Sequence, residues 1–64
     1  MKLKEIREKR GMTQAELADK SGVSVRTIQA YERGGRDINT AAASTVYKLA
    51  TVLRCAVEDL LENL

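Results

Sequence analysis

Leu3 and Ile6 fall three residues apart on one helical face, and Arg7 and Arg10 continue that face at i+4 and i+7. The pattern predicts a first helix over Lys2 to Arg10, ended by Gly11. Thr13 followed by Glu16 is the spacing of a capping box, with Met12 just outside as a hydrophobic staple. The second helix then runs to about Lys20 with Leu17 and Ala18 inward, and Gly22 gives the freedom for a tight exit. Ser24 caps a third helix through Arg33, stopped by Gly34 and Gly35. A longer fourth helix, capped by Asn39 or Thr40, is expected to reach Leu53. Its inward stripe is Val46, Leu49, Ala50 and Leu53, with Ala42 or Ala43 a turn earlier. A short fifth helix, about Val57 to Asn63, is expected to bury Val57, Leu60 and Leu61. The fold class is therefore all-α: five helices joined by short turns in one domain over residues 1–64.

Composition narrows the core without changing this picture. At 64 residues the chain is near the lower limit for an ordinary hydrophobic core. Phe and Trp are absent, so Leu, Ile, Val, Ala and Met must fill it, a mix that favours helices. Tyr31 is expected in the core with its hydroxyl near the surface, Tyr47 half-buried, and Cys55 as a small buried hydrophobe. One Cys and no His exclude an intramolecular disulfide and give no zinc-ligand spacing, so neither a metal nor another cofactor is expected. No paired inward carboxylates or activated nucleophile suggest an enzyme. No apolar run is long enough to cross a bilayer, and a soluble, cytoplasmic protein without a membrane or small-molecule partner is expected.

Net charge is only +2, but its distribution is uneven. Residues 1–36 hold nine Lys/Arg against five Asp/Glu, whereas residues 37–64 hold two against four. Any polyanion-binding face belongs to the first half.

Within the third helix, Ile28, Tyr31 and Glu32 share the inward face. A step of about 100° per residue puts Arg26, Gln29, Ala30 and Arg33 on the opposite side, with Val25 exposed at the leading end. Guanidinium and amide groups beside small apolar ones suit base edges and phosphates. Arg7 and Glu32 lie on inward faces, where an unpaired charge is costly, so they are expected to pair across the first and third helices.

The segment from Gln14 to Arg33 resembles the helix-turn-helix of the phage repressor and Cro family, also called the xenobiotic-response-element type. Gln14, Leu17, Ala18, Gly22, Val23, Ile28 and Tyr31 carry the resemblance, which extends from "IREKRGMTQAELA" through "YERG" and more loosely to "KLATVLRCAVEDLL". It implies binding to double-stranded DNA, with the second helix of the motif in the major groove and the first crossing the backbone. Val25, Arg26 and Ala30 fall at positions that face base edges in that family, with Gln29 and Arg33 near them. Gln14 stands where the family contacts a phosphate; Arg10 and Arg36 are further phosphate candidates. The family also pairs the positions of Arg7 and Glu32. These features imply a transcriptional regulator, a repressor in the first instance. As a homodimer joined through its fourth and fifth helices, it would occupy a palindromic operator with half-sites about 34 Å apart. The competing expectation is a protein-interaction module of the same fold, antitoxin-like or coactivator-like. "RDINTAAAST" is longer than the family's shorter pattern, Arg54 stands where the family often has Gly, and Ala56 where a capping Ser or Asp is usual.

Overall fold

Two helices of this chain begin where a side chain takes up a free backbone N–H, and each helix is followed within two residues by a left-handed backbone step. The computed structural model describes residues 2–62. Among them are four α-helices, α1 (Lys2–Lys9), α2 (Gln14–Ser21), α3 (Val25–Glu32) and α4 (Ala43–Leu53), and two single 3-10 turns, Ile38–Thr40 and Val57–Asp59. Thr13 opens α2 with a complete capping box: its hydroxyl accepts from Glu16 N–H, and its own N–H donates to the Glu16 carboxylate. Ser24 caps α3 by accepting from Thr27 N–H at 3.1 Å.

The exit from α3 is a Schellman motif. Gly34 N–H donates to Tyr31 C=O at 3.3 Å and Gly35 N–H to Ala30 C=O at 2.9 Å, with Gly34 at φ +82°. The end of α4 has the same pair of bonds, Arg54 to Thr51 and Cys55 to Ala50, but its left-handed residue is Arg54, at φ +55°. An L side chain in that conformation is strained by its Cβ, and Arg54 is the only such non-glycine among the described residues.

The core is one cluster. Leu3 from α1, Leu17 from α2, Ile28 and Tyr31 from α3, Val46, Leu49, Ala50 and Leu53 from α4, and Leu60 meet in it. α2 packs on both α3 and α4, α1 closes over α3, and the Val57–Asp59 turn lies against α4. Each fully buried Leu or Ile contributes about 1.5–3 kcal/mol, so this cluster supplies most of the drive to fold.

The second half corrects several expectations. α4 begins at Ala43 with Ala42 as its N-cap, rather than being capped by Asn39 or Thr40, because Asp37 caps a separate 3-10 turn and Ala41 is extended. Asn39 instead clips the end of the chain: its Oδ1 accepts from Glu62 N–H and its amide donates to Glu62 C=O. The expected fifth α-helix is a single 3-10 turn. Ala56 has no side-chain acceptor for the first N–H groups, although its own N–H is held by Asp59 at 3.0 Å. Leu60 is buried as expected, Val57 and Leu61 are half-buried, and Asn63 lies outside the described residues. Tyr47, expected half-buried, is 64% exposed, and Cys55 is half-buried rather than buried. Ile38, which carries no helical pattern, is a fully buried core residue.

Candidate nucleic-acid interface

α2 and α3 are joined by a three-residue turn, Gly22 to Ser24, whose first residue takes φ +74°. Such a left-handed step reverses the chain within one turn of helix. Ser21 stabilises it by accepting from Val23 N–H at 3.2 Å. Val23 and Ile28 then anchor α3 to the core.

The inner side of α3 is fixed by an ion pair. Arg7 Nε donates to Glu32 Oε2 at 2.7 Å and Arg7 Nη2 to Glu32 Oε1 at 3.0 Å, a bidentate arrangement between side chains only 10% and 5% exposed. Arg7 Nη1 also donates to Met12 C=O at 2.7 Å, tying the end of α1 to the start of α2. Burial by itself would push the Glu32 carboxyl up. Hydrogen bonds from Arg7 and Gln14, together with the Arg7 charge, outweigh it and hold that carboxyl below its usual range.

The network extends outward. Gln14 Nε2 donates to Glu32 Oε1 at 2.9 Å, and Gln29 Nε2 donates to Gln14 Oε1 at 3.3 Å. Lys4, Arg7, Gln14, Gln29, Glu32 and Arg33 thus line one shallow groove between α1, α2 and α3. The links from Gln14 to Glu32 and to Gln29 were not read from the sequence; the i, i+15 separation of the two glutamines carries no local signal.

On the outer side, Arg26, Gln29 and Arg33 are exposed, whereas Val25, expected exposed, is half-buried. Ala30, expected on this face, is 8% exposed, because the chain at Gly35 and Arg36 folds back to donate to its carbonyl. Arg10, expected at a phosphate, is occupied elsewhere. Its Nε donates to Leu53 C=O at 2.7 Å and its Nη2 to Arg54 C=O at 3.3 Å, closing the C-terminus of α4. Arg36 is exposed, with its guanidinium over the Tyr31 ring at 5.7 Å. No cluster of metal-ligating side chains occurs among the described residues.

Two short helices at a glycine turn, the second locked by a buried pair, can be set beside known proteins. A family model described as helix-turn-helix matches residues 3–60. The chain belongs to the helix-turn-helix family, of the repressor and Cro type. A relative from Archaeoglobus fulgidus, named as an uncharacterized HTH-type transcriptional regulator, is 42% identical over 59 residues, 92% of this chain and 80% of that protein. No solved structure matches. In this helix-turn-helix protein, α2 and α3 are the two helices at the glycine turn, and α3 is held by Ile28, Tyr31 and Glu32.

Proposed function

We propose that this protein binds double-stranded DNA sequence-specifically and regulates transcription, as a repressor that occupies a palindromic operator. The observation that carries the reading is the side-by-side exposure of Arg26, Gln29 and Arg33 on α3, with Gln14 next to them at the N-terminus of α2. Family membership supports the DNA-binding role. Arg26 would donate bidentately to guanine O6 and N7, Val25 would pack on a thymine methyl, and Arg33 and Gln29 would reach the neighbouring bases. Gln14 has a second amide hydrogen free for a phosphate, at a helix N-terminus that favours anions. Arg36, on the exposed return after α3, is a further phosphate contact.

The working unit in this reading is a single domain that acts in the cytoplasm as a homodimer, since one short helix reads only a few base pairs. The dimer is supported by a second surface. Tyr47, the one large exposed apolar side chain among the described residues, borders a mainly apolar groove with Ile38, Ala41, Val57 and Leu61.

Selection of bound duplexes from a random pool, followed by sequencing, tests the reading. A two-fold motif is the expected result, with binding that weakens steeply as salt rises. A flat pool would refute sequence-specific regulation, and a shallow salt slope would refute the phosphate contacts. Under the reading, Arg26→Ala changes the selected motif.

A further inference from the structure

We infer that the buried Arg7–Glu32 pair determines, through Gln14, which way the Gln29 amide faces, and that this orientation makes Gln29 a reader of adenine in preference to guanine. The inference rests on the reading of α3 as the helix that meets base edges.

The argument is one of donor and acceptor polarity. Glu32, ionised beside Arg7, only accepts hydrogen bonds. Gln14 therefore turns its NH2 group toward Glu32 Oε1, at 2.9 Å, and its oxygen away. That oxygen only accepts, so Gln29 turns its own NH2 toward it, at 3.3 Å. A side-chain amide that is free in water flips at little cost, whereas this one is held in one sense by a chain that ends on a buried charge. The Gln29 oxygen is left facing outward, and one of its two N–H hydrogens is still uncommitted.

Adenine offers an N6–H2 donor and an N7 acceptor in the major groove, which match that oxygen and that N–H together. Guanine offers two acceptors, O6 and N7, and its O6 would face the Gln29 oxygen. Cytosine supplies a donor but no second partner. Gln14 is thus a positioning residue for base choice in addition to any phosphate contact. Lys4 and Arg33 flank the same groove and bring positive charge to its rim.

The test uses the intact chain and duplexes taken from its selected site. The base pair read by Gln29 is the one at which Gln29→Ala erases a preference. There the wild-type protein is expected to favour adenine over guanine by about fivefold to a hundredfold. Gln14→Met, which removes both halves of the relay, is expected to bring that ratio close to one. Gln14→Lys keeps a donor for Glu32 but offers Gln29 a second donor in place of an acceptor, so the Gln29 amide reverses and guanine becomes preferred. Far-ultraviolet dichroism confirms that each variant is folded, and Gln14→Lys keeps the test open if Gln14→Met is not. Variants that weaken binding to both duplexes equally would overturn the inference, as would a guanine preference in the wild type or a Gln29→Ala variant that loses no base preference. A wild-type protein that selects no motif would instead overturn the DNA-binding reading, and the inference with it.

Discussion

Removal of Glu32 is the most informative single perturbation of this fold. In the wild type its carboxylate accepts three hydrogen bonds, two from Arg7 and one from Gln14. Glu32→Ala leaves the Arg7 guanidinium 90% enclosed with only Met12 C=O as a partner. Breaking a buried pair from one side costs about 3–5 kcal/mol, chiefly from the charge left behind. A 64-residue domain has a total stability of roughly 3–10 kcal/mol, so the loss is a large part of the whole. In a domain this small each kcal/mol moves the melting temperature by about 4–8 °C. The variant is expected to melt at least about 12 °C below the wild type, or to be unfolded at 25 °C, when followed by dichroism at 222 nm. A second variant separates charge from packing. Arg7→Met with Glu32→Leu removes both charges and is expected to recover most of the stability, since apolar replacements of a buried pair are often neutral or better. A melting temperature for Glu32→Ala within about 4 °C of the wild type would refute the reasoning, because it would put the pair below 1 kcal/mol.

Other consequences follow from the caps and the titrating groups. Glu32 titrates below its usual range in the folded protein, so its stabilisation is complete above the unfolded carboxylate value of about 4.3. That stabilisation is lost as pH falls through the lower folded value, and Glu32→Gln is expected to flatten this part of the acid limb in melts between pH 5 and pH 2. Arg54→Gly is expected to raise stability by about 0.5–1 kcal/mol, measured by urea titration, since glycine relieves the left-handed strain at φ +55°; an unchanged midpoint would count against that strain. Thr13→Ala removes the cap of α2 and is expected to lower stability by about 1 kcal/mol. The Cys55 thiol is pushed up by burial and by Asp59, against a smaller opposing effect of Arg10. Its alkylation at pH 7 is expected to be slower in the native protein than in urea, and equal rates would refute this.

Periodicity and cap chemistry are local properties, and this is why the first half of the fold was legible. Leu3, Leu17, Ile28 and Tyr31 stand at helical spacing, Thr13 and Ser24 carry their own acceptors, and Gly34 its own freedom, so α1 to α3 lie within a residue or two of their expected ends. Polar residues with little periodicity blurred the second half. In "RDINT" the one apolar residue, Ile38, is fully buried although nothing near it repeats, and Asn39 closes on Glu62 rather than on α4. The presented face was partly legible. The outward positions of Arg26, Gln29 and Arg33 follow from the helix step alone, and the pairing of Arg7 with Glu32 from the cost of burying either charge unpaired.

The sequence by itself determined where the first three helices form and which side of each is apolar, because those depend on neighbours three or four residues away. Only the tertiary structure decided what the long polar side chains reach. Arg10, a phosphate candidate by sequence, closes the end of α4, 43 residues on. Ala30 is covered by the chain returning after Gly34, and Gln14 lies between Glu32 and Gln29 only because α1, α2 and α3 meet at that corner. The distance between elements, which no local pattern encodes, selects those partners.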